Sequence, residues 1–333
     1  MKTTQASLLD SFRARFATAW RRSDDLFALV PHTAYLAQPI DLRHPVLFYI
    51  GHLPAFAWNQ IGRGALGLGS VNPRFDALFA RGIDPADTDS AKTQHITNWP
   101  SIDETLAYRD VVRADILRCI PRVLERTDDV LCEHGRVLHM VLEHEWMHHE
   151  TLLYMLAESP PGLIVRPDCV ERPLGGPGKA AEPRRIEAGE AILGAKWTEI
   201  PFGWDNEFSQ VTLEVPAFTI DSLPVRNSDW LRFFEDRNGQ ESLWPQSWAR
   251  DSSGQLAVKT LFGLLPFEEG AGFPVQVSGN QARTYCEQHG GRLPTEPELH
   301  RAAYHAPDGS VRDYPWGHET PSAEHGNFGF RRF

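Results

Sequence analysis

The sequence predicts a protein of two domains, an all-helical domain followed by a loop-rich α+β domain. The chain has 333 residues, which suits two domains of ordinary size better than one. Apolar residues recur at helical spacing up to about residue 160, whereas short apolar runs alternate with helical segments beyond residue 184. Between these patterns, residues 159–183 contain six prolines and four glycines. We therefore predict domains at residues 1–160 and 184–333, joined by a linker at residues 161–183.

Apolar spacing and proline positions predict the first two helices. The first spans residues 7–30, where apolar side chains recur every three or four residues. The second begins near His44, because Pro45 suits a first helical turn. Pro54 is expected to kink this helix, since it removes one backbone hydrogen bond. His52 lies beside the expected kink.

Two further helices follow a long connection. Residues 63–100 are rich in Gly, Pro and Asp, so we expect a functional loop with one short helix near the sequence FDALFA. The third helix begins at Ser101, which forms a capping-box pattern with Glu104, and Pro121 is expected to end or bend it. The fourth runs from about His134 to Ala157. Each of these helices has an apolar face to bury, and together they predict a four-helix bundle.

The second domain is predicted to mix short strands with helices. Strands are expected at IEAGEAILG, QVTLEVPAFTI and FPVQVS. Helices are expected near residues 227–237, 279–288 and 295–305, the last one capped by Thr295 with Glu298. The many Gly, Pro and Trp residues indicate long loops between these elements.

Composition excludes several classes of partner. The formal net charge of −11 lacks the basic face that binding to nucleic acid needs. No stretch approaches the roughly 18 apolar residues that span a bilayer, and residues 1–10 lack the layout of a secretory signal. We therefore expect a cytoplasmic protein without membrane or nucleic-acid partners.

The cysteines predict neither a disulfide framework nor a thiolate zinc site. The four of them are widely spaced and form no CxxC pair. They are expected to be reduced and mostly structural. They are Cys119, Cys132, Cys169 and Cys286.

The fourth helix contains a candidate metal site in the sequence HEWMHHE, residues 144–150. His144 and His148 are four residues apart, so both imidazoles lie on one helix face and can bind one ion. They interrupt the apolar stripe that is expected to face the bundle core. Core hydrogen bonds are the alternative role, but a pair at this spacing on an apolar face favours a metal. His149 points away from this face and is expected to be solvated.

A third ligand must come from another helix, and His52 is the best candidate because it also lies in a strongly apolar helix. Taken alone, His52 would be interpreted as a core histidine. Three imidazoles leave coordination positions open, which is compatible with Fe(II) redox chemistry and equally with catalytic zinc. The spacing does not choose between the two metals.

Charged residues near the candidate ligands have two possible roles. Glu145 and Glu150 could orient the ligands, or they could be ordinary charges on an exposed flank of the helix. Arg109 and Arg113 share a face of the third helix and could bind a substrate carboxylate with paired hydrogen bonds. A solvated helix face is the alternative for both arginines.

The segment HEWMHHETLLYML resembles the HxxxHxE helix of the iron-dependent sulfoxide synthases of ergothioneine and ovothiol biosynthesis. The resemblance covers nearly the whole chain, and the matching segments follow in the expected order. They are RHPVLFYIGHLPAFAWN, NPRFDALFARGID, FGWDNEF, VKTLFGLLPFE, FPVQVS, GRLPTEPELHRAAY, YPWG and GNFGFRRF.

The resemblance implies a fold and a reaction. The fold would be a DinB-like four-helix bundle followed by a formylglycine-generating-enzyme-like domain of the C-type-lectin-like type. The ligands of Fe(II) would be His52, His144 and His148. The reaction would use O2 to join a cysteine-type sulfur donor to the imidazole carbon of trimethylhistidine (hercynine) and to oxidise the sulfur. A related branch uses a selenium donor and makes selenoneine.

The sequence departs from the family pattern at its end and at Met147. Family members continue beyond the segment GNFGFRRF, so the second domain is expected to be incomplete, and the catalytic tyrosine of the family matches no position here. Some relatives have a polar residue at position 147 that touches the betaine. Two alternatives therefore stay open: another DinB-like metal enzyme, such as a thiol transferase or hydrolase, or an inactive truncated remnant. Zinc or nickel in place of iron would favour the first.

Overall fold

The computed structural model describes residues 5–40, 43–80, 98–160, 162–167, 178–306 and 308–326. The chain divides into two compact units, Met1–Asp168 with Trp197–Trp204, and Cys169–Lys196 with Asp205–Phe333. Part of the predicted linker lies outside the described residues, at 161 and 168–177. The same holds for Cys169, for residues 81–97 of the predicted loop and for residues 327–333 of the C-terminal motif.

The first unit is helical, as predicted. Four long helices among its described residues pack so that each contacts two others: α1 contacts α4 and α5, and α2 also contacts α4 and α5. Their apolar faces enclose the core of this unit. The helices are α1 (Gln5–Phe27), α2 (Val46–Ala57), the short α3 (Pro73–Leu78), α4 (Ile102–Glu125) and α5 (Arg136–Ala157).

Proline shapes α2 and α4 in different ways. Pro45 caps α2, and Pro54 lies inside it, as predicted. Directly after α2 the chain continues as a π-helical segment, Trp58–Ala65. Pro121 does not end α4, which runs on to Glu125. The missing N–H of Pro121 removes one backbone hydrogen bond, but the helix continues for four more residues.

Local signals at the helix ends explain where the helices begin. The capping box of Ser101 with Glu104 is present at the start of α4. The short helix expected near FDALFA is α3, whose first turn is capped by the side chain of Asn72. The fourth long helix begins at Arg136 rather than His134, because His134 and Gly135 have left-handed backbone angles, with φ of 54° and 70°.

The second unit combines short antiparallel sheets with helices. Strand β1 pairs with β4, the hairpin β2–β3 lies between them in sequence, and β5, β6 and β7 form a meander. The strands are β1 (Pro183–Ile186), β2 (Gly189–Leu193), β3 (Val211–Val215), β4 (Phe218–Asp221), β5 (Trp248–Arg250), β6 (Leu256–Thr260) and β7 (Gly263–Pro266). The helices are α6 (Asn227–Asp236), α7 (Phe267–Gly270), α8 (Gly279–Gln288) and α9 (Glu296–Tyr304).

The three longer helices of this unit agree with the predicted positions, but one predicted strand is wrong. FPVQVS is not a strand: Pro274 forms an isolated bridge with Arg226, flanked by backbone bonds from Val275 N to Val225 O and from Asn227 N to Phe273 O, both at 2.9 Å. Proline has no N–H for a continuous ladder, which limits pairing here. The core of the unit is formed mainly by large apolar side chains, Trp230, Phe233, Leu243, Trp248, Val258 and Phe267.

Among the described residues, no helix combines the length and the apolar character that crossing a bilayer requires.

Candidate metal site

Three histidines of the first unit form one buried group. His52 comes from α2, and His144 and His148 come from successive turns of the same face of α5. Their exposed fractions are 6%, 7% and 0%. One ring nitrogen of each lies within 4.8 Å of the others, so the group could hold a metal ion. The structure thus brings together the three histidines that the sequence singled out.

The tautomer of His52 is set by a hydrogen bond to the backbone. Its Nδ1 lies 2.7 Å from the carbonyl oxygen of Phe79. A carbonyl only accepts, so Nδ1 carries the proton and donates. Burial lowers the pKa of His52 to about 4, so the ring is neutral at pH 7. The lone pair of a neutral ring is then on Nε2, the nitrogen left to bind an ion.

Burial also keeps the other two histidines neutral. It lowers the pKa of His148 to about 3, with a further contribution from His52, and it lowers the pKa of His144 well below its usual value. Metal ions bind neutral imidazole, so a positive charge on these rings does not oppose binding at pH 7.

Neighbouring side chains hold these two rings. The hydroxyl of Thr151 lies 3.3 Å from Nδ1 of His148. The ring of Phe56 stacks on His144 with ring centroids 3.6 Å apart.

The spacing of the donors fits a single ion. Two imidazole nitrogens bound to one ion at about 2.1 Å lie about 3.0 to 3.4 Å apart when the bonds enclose about 90° to 109°. The Nε2 atoms of His144 and His148 are 3.2 Å apart. Three desolvated imidazoles without a carboxylate or thiolate among them form a nitrogen donor set that suits iron, zinc, copper or nickel.

Glu145 and His149 are both buried and share a partner on α1, which contradicts the expectation for His149 and excludes the exposed-flank alternative for Glu145. Glu145 is not on an exposed flank but only 3% exposed, and it accepts a hydrogen bond from the hydroxyl of Ser23 on α1. His149, expected to be solvated, is fully buried, with its Nε2 at 2.7 Å from the same hydroxyl. Burial raises the pKa of Glu145. Glu150 is exposed, as expected of a surface charge.

The two arginines singled out for a substrate carboxylate form ion pairs in this structure. Arg113 donates to both carboxylate oxygens of Asp24 on α1, at 2.8 and 3.0 Å, and Arg109 donates to the same side chain at 3.2 Å. The guanidinium of Arg113 also lies over the ring of Trp20. These contacts join α4 to α1, and a role in substrate binding stays a prediction.

Three residues around His52 and His144 could not be identified from the sequence. Phe56 is one helical turn beyond His52 and in the sequence looks like an ordinary apolar residue. Asp76 and Tyr108 are buried, Asp76 three residues before Phe79 and Tyr108 with its ring stacked on that of Phe79. The one available signal was a carboxylate within the apolar segment FDALFA, since a charge there needs a partner when it is buried.

Comparison with known proteins assigns a domain family to each of the two units. The profile of the DinB superfamily matches residues 15–152, and that of the sulfatase-modifying factor enzyme 1-like domain matches residues 177–333. The chain belongs to the family that combines these two domains. The predicted resemblance to the ergothioneine/ovothiol-type family is thereby confirmed, together with the order of a helical and a sheet-containing part.

Three relatives align with more than half of this chain. Ergothioneine biosynthesis protein 1 of Schizosaccharomyces pombe is 28% identical over 291 residues, 78% of this chain and 37% of the relative. Hercynine oxygenase of Mycolicibacterium smegmatis is 32% identical over 279 residues, 78% of this chain and 61% of the relative. Hercynine oxygenase of Mycobacterium tuberculosis is 34% identical over 217 residues, 58% of this chain and 48% of the relative. The chain thus spans between about a third and three-fifths of the length of these relatives.

Proposed function

We propose that this protein is a non-heme Fe(II)- and O2-dependent synthase that acts on trimethylhistidine (hercynine). It would join the imidazole carbon to a cysteine-type sulfur donor or to a selenium donor. The buried group of three histidines carries this proposal, since it offers a neutral nitrogen donor set for one ion. The names of the relatives, hercynine oxygenase and ergothioneine biosynthesis protein 1, support the choice of substrate.

The ion would be held by His52, His144 and His148. When bound, Fe(II) would supply the redox chemistry with O2 that the bond formation requires. The protein's own contribution is to keep three imidazoles neutral, desolvated and oriented toward one point. The donor set alone also suits zinc, and the family membership favours iron.

The proposed sulfur reaction is balanced with O2 as the only oxidant. The C–H bond of the imidazole and the S–H bond of the donor break, while a C–S bond and an S–O bond form. Carbon–sulfur bond formation and oxidation of the sulfur each release two electrons. O2 accepts all four, and its second oxygen leaves as water with the two protons.

We further propose that residues 1–160 form a DinB-like four-helix bundle. The mutual packing of α1, α2, α4 and α5 supports this. The second domain, residues 184–333, would be of the formylglycine-generating-enzyme-like type. The cytoplasmic location, and the roles of Arg109 and Arg113 toward a substrate carboxylate and of Glu145 and Glu150 as partners of the ligands, remain predictions.

The activity is tested by anaerobic loading with Fe(II), followed by O2 and trimethylhistidine with one donor at a time. The donors are cysteine, gamma-glutamylcysteine and a selenosugar, and products are identified by mass spectrometry. We expect a new adduct between the betaine and one donor. We expect that His148→Ala lowers the metal content and abolishes the adduct.

A matched control separates loss of a ligand from loss of any histidine. His134 precedes the same helix and its side chain is largely exposed, so His134→Ala should retain both iron and activity. Stoichiometric iron without an adduct from any donor would contradict the synthase. Preferential retention of zinc or nickel, together with thiol transfer or hydrolysis, would support the alternative of another DinB-like metal enzyme.

A further inference from the structure

A short helix, α3, connects the ligand His52 to a buried polar network. Its first turn is capped by the side chain of Asn72, which accepts from Phe75 N at 3.1 Å. The amide of Asn59 donates to the backbone oxygen of Asp76 at 3.1 Å, which ties α3 to the segment that follows α2. A six-residue helix is too short to be stable by itself, so these contacts determine where α3 lies.

The carboxylate of Asp76 is the most buried polar group of α3, with 2% exposed. Its Oδ1 accepts from the hydroxyl of Tyr108 on α4 at 2.7 Å, and its Oδ2 accepts from the hydroxyl of Ser70. Both oxygens are thus satisfied, as a buried carboxylate requires. Burial and the bond to Asp76 raise the pKa of Tyr108, so its hydroxyl remains protonated and donates. Asp76 therefore holds α3 against α4.

The backbone oxygen of Phe79, three residues beyond Asp76, is the hydrogen-bond acceptor for the candidate ligand His52. Phe79 ends the last turn of α3, where carbonyls have no helical N–H partner, and its oxygen accepts from Nδ1 of His52. The ring of Phe79 is fully buried. It lies so close to Gly51 that a Cβ there would be 2.4 Å from the ring. The position of this carbonyl therefore follows the position of α3.

We propose that Asp76 and Tyr108 are positioning residues for His52, acting through the carbonyl of Phe79. Tyr108 fixes the carboxylate, the carboxylate fixes α3, and the end of α3 sets both the tautomer and the orientation of the imidazole. Outer partners of this kind orient histidine ligands and influence metal affinity. The part of the inference that concerns metal binding rests on the proposed function, whereas the part that concerns the imidazole does not.

The first test measures the imidazole itself, on the full chain without metal. In protein labelled with 15N-histidine, the Nδ1 proton of His52 should give a downfield signal protected from exchange, identified by its loss in His52→Ala. We expect Tyr108→Phe, which keeps the ring and removes the donor, to shift this signal or to speed its exchange. The matched control is Tyr35→Phe, which removes a buried hydroxyl bonded to Phe27 O in the same unit. This control should leave the signal unchanged.

The second test measures metal affinity by titration with Co(II), whose visible absorption reports the geometry of the ligands. We expect Tyr108→Phe and Asp76→Asn to weaken binding by roughly tenfold or more and to alter the spectrum. Tyr35→Phe should bind as the unmodified chain does. A general loss of stability would affect the two tyrosine variants alike and would leave the spectrum of the bound form unchanged.

The outcomes separate this inference from the proposed function. An unmodified chain that binds no Co(II) or Fe(II) would contradict the proposed function, and the NMR test would still decide the link to His52. An unchanged Nδ1 signal and unchanged affinity in folded Tyr108→Phe would overturn the inference while leaving the metal site intact. Equal effects in Tyr35→Phe would overturn it as well.

Discussion

The imidazole of His144 lies face to face with the ring of Phe56, with centroids 3.6 Å apart and planes 10° from parallel. The ring of His148 meets the same imidazole edge-on, with centroids 4.5 Å apart. A packed aromatic neighbour leaves the imidazole little freedom to rotate. The plane of His144 is therefore restrained by ring packing, whereas His52 combines a ring stack on Phe48 with the hydrogen bond of its Nδ1 to Phe79.

Replacing Phe56 by Leu should weaken metal binding while the fold is retained. Without the stack, His144 must lose rotational freedom when it binds an ion, which corresponds to a roughly two- to tenfold increase in Kd. Co(II) titration measures the change. Phe12→Leu is the control, because Phe12 packs edge-on against His139, which is not a candidate ligand, with ring centroids 5.0 Å apart. Unchanged affinity in Phe56→Leu would show that the stack does not restrain His144.

The pairing of His144 with His148 could be predicted because it is a local property of one helix. A spacing of four residues places two side chains on one face wherever the helix lies. The capping boxes at Ser101 and Thr295 are local in the same sense, and both are present. His52 could be added because it interrupts an apolar helix, a pattern that the sequence also shows.

Polar contacts between distant segments could not be predicted. Tyr108 and Asp76 are 32 residues apart, and Ser23 and Glu145 are 122 apart. The apolar stripe of each helix can be located in the sequence. The rotation of the helix about its own axis cannot, and this rotation decides which flanking residues become buried. His149, next to a candidate ligand in sequence, was for this reason wrongly expected in solvent.

Gly51→Ala should disturb the three candidate metal ligands, because Gly51 lies next to His52 on α2. The added methyl would meet the buried ring of Phe79, 2.4 Å away, so the ring and the carbonyl that holds His52 must move. Overpacking of this kind costs about 1–3 kcal/mol. We expect a lower free energy of unfolding by that amount and weaker Co(II) binding.

Gly69→Ala provides the control for this substitution. A Cβ at Gly69 would have no atom within 4 Å among the described residues, and the backbone there is not left-handed. Chemical denaturation and Co(II) titration should therefore give values close to those of the unmodified chain. Equal effects at both glycines would contradict the close contact between Gly51 and Phe79.

Ser23→Ala should destabilise the protein through two buried groups at once. The hydroxyl of Ser23 bonds both the carboxyl of Glu145 and the imidazole of His149, and both would be left without this partner. The expected loss is about 1–3 kcal/mol in the free energy of unfolding, measured by urea denaturation.

Ser159→Ala is the matched control, because that buried hydroxyl has no hydrogen-bond partner in the described part of the chain. Its removal should be nearly neutral. A neutral Ser23→Ala would mean that Glu145 and His149 find other partners.

The ion pair of Glu298 predicts a pH dependence of stability in the second unit. Arg292 donates to both oxygens of Glu298, one of them at 2.8 Å, and the backbone N–H of Thr295 donates at 2.8 Å. These donors lower the pKa of Glu298 from 4.5 to about 2. Since the folded pKa lies below the unfolded one, the contribution to stability is complete above pH about 4.5. It is lost as the pH falls toward about 2.

Glu298→Gln should therefore make the stability of the protein less dependent on pH under acidic conditions. Differential scanning calorimetry between pH 5 and pH 2.5 should give a smaller fall in Tm for the variant than for the unmodified chain, because the amide cannot be protonated in this range. Glu296→Gln, an exposed change in the same helical turn, should keep the original slope. Parallel profiles for Glu298→Gln and the unmodified chain would contradict the prediction, since the carboxylate would then gain nothing from its partners on folding.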